Sequence, residues 1–190
     1  MERHDPAALF VSAAGAFGAL VHTVREDHWA APTPCAEWDV RHLVNHLVVE
    51  DLWAVPLFAG STIAAVGSAF DGDQVGSSPI PRWEEAVAGA IGAITSPGAM
   101  DRIVHLSFGD LPGSEYTMQL FADHLVHAWD LGTALGSEPE LDPSVVAACR
   151  AWFVDNEDGY RSAGVIGPRQ PMTDDADDLA WLLAAFGRTP

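Results

Sequence analysis

The sequence predicts an all-α protein, a bundle of helices around one apolar core. Three observations carry that prediction. Apolar residues recur at three-and-four spacing over long stretches, the period of a half-buried helix. Helix-start and helix-stop residues bracket those stretches, and Gly- and Pro-rich segments separate them. Hydrophobic side chains make up 48% of the 190 residues, enough for a sizeable core in one domain over 1–190 and too many for a disordered chain.

Helix one is expected from Pro6 to His28, with Asp5 as N-cap and Phe10, Ala14, Phe17, Val21 and Val24 as its core stripe. Two prolines in Trp29–Trp38 break it. Helix two starts after Asp39 and runs to about Ala59, closed by Gly60. It is apolar on most sides, as a central helix should be. The Gly-, Ser- and Ala-rich stretch Ser61–Pro81 reads as a loop with some helix in it, and helix three follows over Arg82–Thr95. Arg102–Leu106 reads as a short strand or extended connector after the Pro97-Gly98 turn. Helix four is expected from Ser114, as N-cap, to Leu135, closed by Gly136. Helix five covers Pro143–Asn156, a loop Gly159–Pro171, and a last helix Asp175–Phe186. Asp174, Asp175, Asp177 and Asp178 gather at its start, where the dipole favours negative charge.

Composition removes several functions. The net charge is −18, which repels nucleic-acid phosphates and anionic membrane surfaces alike. All nine basic residues are Arg and none is Lys. That rules out a Schiff-base lysine and a Walker A loop; Ala-rich, Arg-only usage also suggests a high-GC bacterial genome. Ala7–Val21 is apolar, but acidic Glu2 and Asp5 flank it and it is shorter than a span requires, so it reads as a packed helix rather than a leader or anchor. Cys35 and Cys149 are too few for a disulfide framework and read as two reduced, small apolar residues in a reducing cytoplasm.

The chemistry concentrates on helices two and four. Asp123 and His127 are four residues apart and share one helix face, with Asp130 three further on, amid Phe121, Leu125, Val126 and Trp129. Polar groups on so apolar a helix need a partner or a metal. Two readings stay open on spacing alone: an Asp/His pair that hydrogen-bonds internally, or half of a divalent-metal site. On helix two, His42, His46 and Glu50 step along one face at i, i+4 and i+8, with Trp53 beyond. One His meeting an Asp/His pair would give three ligands and an open position, the pattern of catalytic metal.

The run Pro32-Thr33-Pro34-Cys35-Ala36-Glu37-Trp38-Asp39-Val40-Arg41-His42-Leu43-Val44-Asn45-His46-Leu47, with Asp123–Leu131 ending His127-Ala128-Trp129-Asp130-Leu131, resembles the DinB-like superfamily. More narrowly, it is similar to the actinobacterial branch related to the N-terminal domain of mycothiol-dependent maleylpyruvate isomerase. The resemblance implies a four-helix bundle and a metal held by His46, Asp123 and His127, with zinc first and nickel, iron or manganese as alternatives. The isomerase has Glu where this chain has the shorter Asp123. His42, often acidic in relatives, is expected as a supporting or surface residue. Glu50 is a candidate general base, Asp130 an acceptor orienting His127, and Trp38, Trp53 and Trp129 candidate walls. His124, about 100° round the helix from Asp123, is not expected to ligate. His22, His28 and His105 read as structural.

The resemblance further implies mycothiol as cosubstrate and a thiol S-transferase or thiol-assisted isomerase acting on a small electrophile. The isomerase has a second, C-terminal domain for which 190 residues leave no room, so the maleylpyruvate reaction itself is not expected. A metal-dependent hydrolase or lyase using metal-bound water, and a non-catalytic metal or small-molecule binding module, are the alternatives. The protein is expected in the cytoplasm, as monomer or homodimer.

Overall fold

The computed structural model describes residues 5–173 and 175–189. They gather into two compact units that divide between Pro139 and Glu140. The first is built on four long helices, α1 (Pro6–Val21), α2 (Val40–Phe58), α4 (Pro79–Ile94) and α5 (Gly113–Leu135), with a one-turn helix α3 (Ile63–Val66) between α2 and α4. Here α1 packs on α5 and α4, and α2 on α4 and α5. Phe10, Phe17, Leu43, Leu47, Leu57, Phe121, Leu125 and Leu131 fill the core between them.

Helix one ends at Val21, not His28. The Thr23 hydroxyl and amide both take the Leu20 carbonyl, a local alternative to the helical ladder, and only a turn of 3₁₀ helix over Glu26–His28 follows. Helix two is as expected, and Asp39 caps it by accepting from the His42 amide. Helix α5 starts at Gly113 with Pro112 at the N-cap position and no side-chain cap, so Ser114 lies inside the first turn, and the Thr117 hydroxyl donates to the Gly113 carbonyl. A Cβ at Gly113 would stand 2.1 Å from the Ala99 carbonyl oxygen, so this close approach requires glycine. At its other end Gly136 adopts φ +66°, the Ser137 amide reaches back to Gly132, and the Gly136 amide to Thr133, a Schellman termination.

The extended connector acquires a partner: β1 (Ile103–Leu106) pairs antiparallel with β2 (Gly109–Pro112). The segment after α2 lies fastened to that helix. Asn45 accepts from the amides of Gln74 and Val75 and donates to the Gly72 carbonyl, while Arg41 reaches Asp73 and Gly76.

The second unit holds α6 (Pro143–Phe153), α7 (Glu157–Ser162) and α8 (Asp178–Ala185), with α6 packed on α8. Helix five ends at Phe153, short of Asn156, whose side chain donates to the Trp152 carbonyl. A helical turn stands in the expected 159–171 loop, closed by an Arg161–Glu157 pair. The last helix begins at Asp178 with Asp177 as N-cap, so Asp175 precedes it; Asp174 lies outside the described residues. Arg150 and Arg169 both lie over the Trp181 ring, at 5.0 and 4.5 Å. Among the described residues no helix is long and apolar enough to cross a membrane.

Candidate metal centre

Where α2 meets α5, His46 Nε2 lies 2.9 Å from Asp123 Oδ2, and His127 Nε2 lies 3.2 Å from Asp123 Oδ1. One carboxylate thus faces two imidazoles, whose rings meet edge to face with centroids 5.1 Å apart. The candidate ligand atoms of these three residues lie within 4.8 Å of one another. Two imidazole nitrogens and a carboxylate oxygen are a donor set of the kind that holds zinc. The residues present fit such an ion, and His46 and Asp123 keep part of their surface open while His127 is buried.

The electrostatics of the bare site follow from that packing. Burial would raise the Asp123 carboxyl, but the His46 and His127 imidazoles outweigh it and hold the group well below the usual carboxylate range. Burial would lower His127, but Asp123, Asp130 and Cys35 together push it well above an ordinary imidazole. The bare site therefore favours an ionised carboxylate beside a protonated His127.

The second nitrogen of His127 is also engaged. Nδ1 lies 2.8 Å from Asp130 Oδ2, and Asp130 is fully buried. The Cys35 thiol donates to the same oxygen at 3.2 Å. Cys35 comes from the loop before α2, which folds back on itself: the Thr33 amide donates to the Trp38 carbonyl, the Trp38 amide to the Cys35 carbonyl and the Cys35 amide to the Thr33 hydroxyl, and Glu37 takes φ +67°. The same loop lays Trp38 against both imidazoles, with centroids 5.0 Å from His46 and 5.8 Å from His127.

The remaining residues divide. Glu50 sits one turn beyond His46; burial first, then the Asp123 charge, raises its carboxyl. Trp53 packs edge-on against Phe70 of the segment fastened to α2. His42 is exposed and pairs with Asp39 at the helix start. His22 and His105 make surface pairs with Glu84 and Asp110, and His28 accepts from the Arg25 amide.

Two features escape the sequence reading. Cys35 is not a small apolar filler but a donor to Asp130, a contact across 95 positions with no sequence signal. Asp51 and His124 form a fully buried pair, 3.4 Å apart, between α2 and α5. That pair had a signal: Asp51 falls on the Val44, Leu47, Val48, Ala54 stripe, and His124 on the Leu120, Phe121, Ala128, Leu131 stripe.

Residues 10–132 match the family model described as the mycothiol maleylpyruvate isomerase N-terminal domain. The chain belongs to this family. Over 198 aligned residues it is 34% identical to the uncharacterized proteins MT0763 and Rv0738 from two strains of Mycobacterium tuberculosis, covering 97% of this chain and 98% of each relative. Its fold is similar to the crystal structure of the mycothiol-dependent maleylpyruvate isomerase and to that of a mutant of it. Each superimposes with a TM-score of 0.64 at 15% identity, over 86% of this chain and 72% of that one. The all-α, DinB-like class expected from the sequence is thus the class of the protein, with one two-stranded ribbon added.

Proposed function

We propose that this protein is a metal-dependent enzyme of thiol chemistry, an S-transferase or thiol-assisted isomerase that joins a mycothiol-type thiol to a small electrophile. One observation carries the reading: in a member of this isomerase family, donors from helices 77 positions apart converge on the Asp123 carboxylate. His46, Asp123 and His127 would hold the ion. When bound, a divalent cation, zinc foremost, would supply a Lewis acid that favours the thiolate over the thiol, whose free pKa is about 8.5.

The chain's own residues do the rest. Asp130 accepts a hydrogen bond from the His127 Nδ1–H, which leaves the Nε2 lone pair on the Asp123 side when the ring is neutral. Trp38 covers both imidazoles and limits water at the ligands. Glu50, on the His46 face and raised above an ordinary carboxyl, is suited to take a proton from the incoming thiol and return it to the product. The cytoplasm, where thiols stay reduced, is the compartment this chemistry asks for.

Elemental analysis of protein purified without chelator tests the reading. The expected result is about one divalent ion per chain in the parent, as a three-ligand site would hold, and near none in His46→Ala. The cobalt-substituted protein should change its visible spectrum when mycothiol is added. Equal metal content in parent and variant overturns the ligand assignment. A cobalt spectrum indifferent to the thiol, with hydrolysis of test esters that depends on Glu50, would favour a hydrolase instead.

A further inference from the structure

We propose that Cys35 is a positioning residue of the metal centre: its thiol, through Asp130, fixes the orientation of His127 and the nitrogen it offers to a cation. The inference rests on the reading of His46, Asp123 and His127 as ligands, and extends it to a side chain that ligates nothing.

Three groups meet at one oxygen. Asp130 Oδ2 lies 2.8 Å from His127 Nδ1 and 3.2 Å from Cys35 Sγ, while Sγ and Nδ1 are 3.8 Å apart. Asp130 has no exposed surface. A carboxylate at that depth is costly unless donors occupy its lone pairs. His127 supplies a donor from its own helix, three residues away, and Cys35 brings another from a different part of the chain. With the thiol in place the carboxylate has a fixed rotamer, its oxygen directed at Nδ1. An imidazole protonated at Nδ1 keeps its lone pair on Nε2, the atom that faces Asp123. Losing the thiol removes one of the bonds that aim that carboxylate at Nδ1, and the imidazole loses part of its hold.

The loop is built for this delivery. Thr33 and Trp38 close it by a backbone bond, the Thr33 hydroxyl holds the Cys35 amide, and Glu37 accepts a left-handed backbone to make the turn. The loop that carries Cys35 under the imidazole edge also carries Trp38 over its face. Cys35, His127 and Asp130 also lie close enough together to be weighed as a second cation site. The Cys35 thiol stands at hydrogen-bond distance from Asp130 Oδ2, 3.2 Å, and zinc stoichiometry in the Cys35→Ala variant separates the two roles.

The test is zinc affinity, read by competition with a chromophoric chelator, for the full chain as parent, Cys35→Ala, Cys35→Ser, Asp130→Asn and the Cys35→Ala/Asp130→Asn double variant. Asp130→Asn should weaken zinc by about 10–100-fold, as losing the acceptor of a ligating His does. Cys35→Ala should weaken it by roughly three- to tenfold, less because a thiol is a weak donor. Cys35→Ser restores a donor and should bind within about threefold of the parent. The double variant should be no weaker than Asp130→Asn, because the thiol acts only through that carboxylate. The cobalt form of Cys35→Ala should show a shifted visible band, which a merely destabilised loop would not produce. If Asp130→Asn does not fold, the Ala-against-Ser contrast and the cobalt band decide. A Cys35→Ala protein that binds zinc like the parent, or a loss additive with Asp130→Asn, overturns the inference and leaves the ligand assignment standing. A second zinc per chain that vanishes in Cys35→Ala overturns it too, in favour of direct ligation. A parent that takes up no zinc refutes the ligand reading and this inference together.

Discussion

Replacing His124 by Leu should be among the most damaging single changes in the helical core. His124 Nε2 faces Asp51 Oδ2 at 3.4 Å, its Nδ1 bonds the Leu120 carbonyl, and neither His124 nor Asp51 has exposed surface. Phe10 and Phe17 of α1 close over the ring edge-on, with centroids 5.0 and 6.3 Å away. Asp51 Oδ1 is buried with no hydrogen-bond partner among the described residues, so the His124 imidazole is the group that faces this carboxylate. Removing it strands a charge in an apolar interior, which costs about 3–5 kcal/mol. In a urea titration with a slope of about 2 kcal/mol per molar, that lowers the midpoint by about 1.5–2.5 M. The double variant His124→Leu/Asp51→Val removes both charges and should recover most of the loss. The pH dependence has a definite sign. Burial disfavours the charged ring, but Asp51 outweighs it, so the folded pKa of His124 stands above the ordinary 6.5. The pair's contribution is then fully present below 6.5 and is lost as pH rises through the raised folded value. The parent's stability relative to the double variant should fall across that window. A single variant that costs under about 1 kcal/mol, or a double variant as unstable as the single, refutes the account of a compensated buried pair.

Four further outcomes follow from other parts of the molecule. Gly113→Ala should destabilise by about 1–3 kcal/mol in the same titration, because the new methyl meets a backbone carbonyl rather than a flexible side chain. Native protein treated with iodoacetamide should be labelled faster at the partly buried Cys35 than at the fully buried Cys149, where burial pushes the thiol up; peptide mass mapping reads the ratio. Apparent zinc affinity should rise with pH by roughly tenfold per unit while His127 still carries its extra proton, since binding must displace it; chelator competition at a series of pH values measures the slope. Asn45→Ala should release the segment around Gly72–Val75 from α2, and limited proteolysis should then cut there well before it cuts the parent.

Much of the architecture is local and was therefore legible. Asp5 and Asp39 cap their helices through bonds spanning two or three residues, and the i, i+4 relation of Asp123 to His127 is a property of any helix. Boundaries were less legible where short-range bonds compete: the Thr23 hydroxyl ends α1 early, and the Arg161–Glu157 pair folds a turn out of an apparent loop. The His42, His46, Glu50 stripe shows the same division. Sequence spacing gives each an equal claim to helix two's functional face, but His42 stays in solvent on Asp39 while His46 meets Asp123.

The amino-acid order by itself determined the helical class, the carboxylate–imidazole face of α5, and the exclusion of lysine chemistry, because periodicity, capping and residue inventory act over a few positions. The packing of α2 against α5 brings His46, the imidazole the family resemblance pointed to, onto that face, and only that packing and the loop before α2 decided that Asp51 and His124 pair and that Cys35 reaches Asp130. These are contacts across 77, 73 and 95 positions. Their geometry depends on how two helices cross and how one loop turns back, and side-chain packing, not sequence spacing, sets both.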